Sequence, residues 1–141
     1  MNPWLGAVVV VLALALSVAG GWGGTRLVLH LASRSKDAGA PRTDEDGAVL
    51  LDPADGPEGP RARAALRGGT WIGLLERTAT TAALLFGQPG AIAVIVAVKG
   101  LGRYPELREN PGASERFVIG TLASLTWAAA VGFAGRWLLT R

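Results

Sequence analysis

The chain has 141 residues, half of them hydrophobic and only 18% charged, with a formal net charge of +3, which is too apolar for an ordinary soluble domain of this length. With no cysteine and one histidine, His30, it is without disulfides, thiolate nucleophiles, cysteine zinc sites and histidine-based triads. The basic balance would suit nucleic acid, but the cations cluster beside apolar segments, as membrane topology requires, and no nucleic-acid partner is expected.

From Trp4 to about Gly20 the chain carries no charge and, at ~1.5 Å per residue, nearly covers a ~30 Å hydrocarbon core. Residues 1–22 therefore read as a first transmembrane helix. A cleaved signal peptide is the alternative, because Ser17 and Ala19 fit a small-x-small site ahead of Gly20. Against it, no Lys or Arg precedes the apolar run and the segment that follows is basic.

Residues 23–68 form the next unit. The run Gly20-Gly21-Trp22-Gly23-Gly24 should loosen the helix, after which Arg26, His30 and Arg34 recur at helical spacing among leucines, as in a short interfacial helix. From Ser35 to about Pro60 the composition turns to Asp, Glu, Gly, Pro and Ala, which predicts a disordered charged linker. Its acidic cluster Asp44-Glu45-Asp46 lacks the spacing of a calcium loop, so no metal is expected there. Arg61, Arg63 and Arg67 close the unit and suit anionic lipid headgroups, although topology anchoring explains them as well.

Residues 69–141 read as a three-helix membrane domain. The apolar stretch from Gly69 to about Leu101 would make a single helix of ~50 Å, more than one bilayer needs. The breaker Gly87-Gln88-Pro89-Gly90 splits it into spans of about 69–87 and 89–103. A kinked or re-entrant element is the alternative, since the second piece is short. A polar loop from Tyr104 to Gly112 leads to the last span, about 114–139, with Ser114 as N-cap and Glu115 in its first turn. The expected fold is thus an all-α integral membrane protein of about four transmembrane helices with a disordered cytoplasmic linker. Basic residues crowd 21–68 and 102–116 and are missing from 87–90, which places both long connections in the cytoplasm and both termini outside. Most of the tryptophans, with Tyr104, fall near span ends, as interfacial aromatics should.

Charges inside apolar spans are the candidates for function, because each costs a few kcal/mol unless partnered. Counted from Pro89, Glu76 and Lys99 lie ~20 and ~15 Å down an antiparallel hairpin, so they are expected to form an intramembrane ion pair. Arg77 is expected at the cytoplasmic interface or beside a second acid such as Glu115. Gly73, Glu76, Thr80, Ala83 and Gly87 share one face; Gly90, Ala93, Ala97 and Gly100 do so on the next span, and Gly120, Ser124, Ala128 and Gly132 recur at every fourth residue of the last. Such stripes let membrane helices approach closely. Thr78, Thr80 and Thr81 are expected to bond to their own backbone.

Between about Gly69 and Ala128 the motifs Trp71-Ile72-Gly73-Leu74-Leu75-Glu76-Arg77, Gly87-Gln88-Pro89, Ala97-Val98-Lys99, Arg103-Tyr104-Pro105-Glu106-Leu107 and Ile119-Gly120-Thr121-Leu122-Ala123-Ser124 occur in order. This part resembles an uncharacterised family of small bacterial integral membrane proteins, which implies a cytoplasmic-membrane location and supplies no activity. The expectation is a non-enzymatic multi-span protein without cofactor, lying in the bilayer and acting by helix packing with itself or a partner membrane protein. A small oligomeric proton-coupled transporter or channel using Glu76 is the alternative, since intramembrane carboxylates serve proton coupling.

Overall fold

The computed structural model describes residues 2–34, 63–64, 66 and 68–141; the predicted linker, together with Arg61 and Arg67, lies outside the described residues. Within them the chain is helical, in four elements: α1 (Pro3–Ala32), α2 (Gly69–Leu85), α3 (Ala91–Glu109) and α4 (Pro111–Leu139). α1 and α4 are long and apolar enough to cross a membrane; α2 and α3, at 17 and 19 residues, reach about 26 and 28 Å.

α1, α2 and α4 pack on one another, while α3 leans on α2 and α4 over a smaller area. The inward stripe of α2 repeats in pairs, Glu76 and Arg77, Thr80 and Thr81, Leu84 and Leu85, the spacing that keeps one helical face inward. It meets Thr121, Ser124, Ala128, Val131, Gly132 and Gly135 of α4 and Ala13, Ser17 and Gly21 of α1. Glycine at 132 is a requirement of this contact: a Cβ there would stand 2.8 Å from the Leu84 Cβ and 3.3 Å from the Thr81 carbonyl oxygen. The buried side chains of the described residues divide into seven apolar and seven polar or charged ones. Large apolar side chains instead cover the outside of every helix, among them Val11, Leu12, Leu75, Val98, Leu122 and Phe133.

α2 ends in a left-handed glycine. Gly87 has φ +74°, and the amides of Gly87 and Gln88 reach back to the carbonyls of Leu84 (3.1 Å) and Ala83 (2.7 Å), the Schellman arrangement that closes a helix and turns the chain. Arg136, from the far end of α4, lies across Gly87 and sets its Nη1 3.5 Å from the Leu85 carbonyl, a cation at the negative end of α2.

Four expectations change. α1 runs unbroken through Gly20–Gly24, so the first helix extends to Ala32 rather than ending near residue 22 with a separate interfacial helix after it. The intrinsic cost of helical glycine, about 1 kcal/mol each, is offset by close approach: Trp127 packs over Gly20, and the Arg77 side chain crosses Gly21. α3 continues past residue 103 to Glu109 with Pro105 inside it, its last turns carrying an Arg103–Glu106 ion pair at 3.6 Å. α4 starts at Pro111 rather than near Ser114, because Asn110 is the cap: its side chain accepts from the Ala113 amide at 3.0 Å, and proline suits the first turn. Trp22, expected at a span end, stands inside the extended α1, while Trp127, midway along α4, donates its Nε1–H to the Leu16 carbonyl of α1 at 3.3 Å.

Candidate functional site

The site grows from the polar half of the α2 stripe. Glu76 is buried, and its Oε2 accepts a hydrogen bond from the Lys99 Nζ of α3 in an ion pair. The Lys99 ammonium also lies 5.3 Å from the Phe117 ring centre, within cation–π range. The other carboxylate oxygen, Oε1, is buried without a partner. Around this pair Ile72, Leu75, Ala79, Val94, Ile95 and Val98 line an apolar groove of about 320 Å³ between α2 and α3.

Arg77 lies inside the bundle and not at an interface, which corrects the sequence expectation. Only 4% of it is exposed. The helical step of about 100° between neighbours turns it from α3 toward α1 and α4, where glycines at 21 and 73 leave room for its side chain. Its Nη1 donates to the Ser124 Oγ at 3.1 Å, and its Nε has no partner. No acid of the described residues makes an ion pair with it at the distance that joins Lys99 to Glu76.

One helical turn further, the Thr81 hydroxyl joins three helices, at 2.7 Å from the Ser17 Oγ of α1 and 3.2 Å from the Ala128 carbonyl of α4. Thr78 bonds to the Leu74 carbonyl of its own helix at 2.9 Å, but Thr81 does not share that local solution, and the Thr80 hydroxyl is buried without a partner.

The structure thus brings Glu76 to Lys99, Arg77 to Gly73 and Ser124, and Gly132 to Leu84. Gly120 faces Leu29 and Thr25 of α1 at 3.8 Å. It does not bring the α3 stripe to a neighbour: Gly90, Ala93 and Ala97 are exposed, and nothing stands within 4 Å of a Cβ at Gly90 or Gly100. Arg63 is exposed, and Arg61 and Arg67, the rest of the proposed headgroup contact, lie outside the described residues. Ser17, Thr25 and Thr121 were missed. The signal for the first two is the run Ala13, Ser17, Gly21 and Thr25 at every fourth residue of α1, the same small-residue spacing that marks α4, whereas Thr121 lies one residue off the α4 stripe.

Among the described residues no group of acidic or histidine side chains is arranged to hold a metal. What the arrangement offers is charge pairing and hydrogen-bond donors inside an apolar shell. The comparisons with known proteins yield no relative: no family model, no curated protein and no solved structure matches the chain.

Proposed function

We propose that this is a four-span, non-enzymatic protein of a bacterial cytoplasmic membrane that acts through helix packing with itself or a partner membrane protein, its 23–68 connection cytoplasmic. Support for four spans comes from the inverted distribution of side chains, with polar groups inside and large apolar ones on all four helices outside, which suits lipid as solvent. The bacterial setting rests on the motif resemblance over 69–128 and the orientation on the distribution of Lys and Arg. The observation that carries the packing reading is α3, which buries no residue along its length and leaves Gly90, Ala93, Ala97 and Gly100 bare.

The absence of cysteine makes a direct test available. Single cysteines at Ala93, Ala97 and Val98, oxidised in native membranes, should yield cross-linked dimers or a discrete heteromeric adduct from the first two positions and not from the third. Equal yields at all three, or none, would remove the reading. Impermeant maleimide applied to cysteines within 36–60 should label only in inside-out vesicles.

The orphaned Glu76 Oε1 favours one second reading, a proton-coupled transporter or channel. There Glu76→Gln would leave abundance unchanged and abolish a proton-linked flux.

A further inference from the structure

A cavity of about 220 Å³ opens at the end of the bundle where the last turns of α1 meet the first turns of α2 and α4 and the Lys99 region of α3. Among the described residues its lining holds four cations, Arg26, Arg77, Lys99 and Arg116, and no carboxylate. We propose that it is a binding site for a phosphate group, held by Arg77 with the hydroxyls of Thr121 and Thr25.

The argument starts with Arg77. A cation this buried requires compensation, and its hydrogen-bond partner, the Ser124 hydroxyl, is neutral. The neighbouring Glu76 carboxylate is bonded through Oε2 to Lys99 and makes no hydrogen bond to Arg77, so its charge acts on the guanidinium only through space. The unpartnered Nε–H belongs to the guanidinium edge that takes two oxygens of a phosphate side by side. Two further residues of the lining carry orphans: the Thr25 and Thr121 hydroxyls are buried without partners. Three residues that line one cavity thus each carry a buried donor without a partner, which is more than packing leaves behind by default, since buried polar groups are nearly always satisfied. Gly69 and Thr70, from the first turn of α2, also line the cavity, and that helix has no side-chain cap on its amides, so a positive helix end faces the same volume.

Size and chemistry narrow the ligand. At ~30 Å³ per water the cavity holds about seven, ample for a tetrahedral oxyanion, whose oxygens supply more than the three acceptor lone pairs that the unpartnered donors need. A phosphate reaches such a place either as the headgroup of an anionic phospholipid or as a soluble phosphate compound. The inference goes beyond the packing reading and rests on α1, α2 and α4 rather than on the free face of α3, so either can fail without the other.

The test is a thermal unfolding titration of the full chain in a neutral detergent, followed by tryptophan fluorescence, with inorganic phosphate in one arm and short-chain phosphatidylglycerol against phosphatidylcholine in the other. Saturable stabilisation by phosphate assigns a soluble ligand, and by phosphatidylglycerol over phosphatidylcholine a lipid headgroup; either supports the site provided that the apparent affinity falls about five-fold in Thr121→Val and at least about ten-fold in Arg77→Lys. Should Arg77→Lys fail to fold, Thr121→Val decides alone, because its hydroxyl makes no bond within the protein. Stabilisation by neither probe, or equal titration of parent and Thr121→Val, overturns the proposal.

Discussion

α4 and α3 carry the same kind of sequence stripe, small residues at helical spacing, and meet opposite fates. On α4 the stripe is consumed: Ser124 takes Arg77, Ala128 accepts from Thr81, and Gly132 admits Leu84 to near backbone contact. On α3 the stripe faces outward and is empty, and what holds the helix inward is the Lys99–Glu76 pair with the Phe117 ring behind it. A stripe of small residues therefore says that close approach is permitted, and a polar partner at the right depth says whether it happens inside the chain.

The largest test of this contrast is the ion pair. Lys99→Met should leave Glu76 as a buried unpaired charge and destabilise by about 3–5 kcal/mol, read as lost membrane abundance and an α3 that no longer cross-links to α2. The double variant Glu76→Gln/Lys99→Met should recover a good part of that loss; no recovery would mean that α3 is held by something else. Next comes Gly132→Val, whose added atoms meet Leu84 and the Thr81 backbone, with an expected loss of about 1–3 kcal/mol in thermal unfolding. Thr81→Val removes bonds to Ser17 and Ala128 and should cost about 1 kcal/mol. Gly100→Ala closes the series: with nothing near its Cβ position the change should stay within about 0.5 kcal/mol, and a loss comparable to that of Gly132→Val would show that the α3 stripe is already occupied in the membrane.

How far the sequence alone reaches differs by residue, for physical reasons. Glu76 and Lys99 could be set at similar depth because the turn at Pro89 fixes the zero of the count and the helical rise does the rest. The four-residue rhythm of α4 is equally plain. Arg77 was misplaced because a long cationic side chain near a helix end has two solutions, snorkelling outward or lying inside, and only the room made by Gly21 and Gly73 with the Ser124 hydroxyl selects the second. The glycine run in α1 was read as a break on local cost, whereas Trp127 and Arg77, more than fifty residues away in sequence, supply the contacts that keep it helical. The start of α4 was set a turn late because Ser114 alone was read as the cap, whereas Asn110 caps the helix and the proline after it suits the first turn.

Arg136 bears on how such a chain comes to be assembled. During synthesis the α2–α3 hairpin emerges before α4; the turn itself answers the Ala83 and Leu84 carbonyls, and the Leu85 carbonyl waits until α4 delivers its guanidinium. The later helix then behaves as a latch on the hairpin made before it.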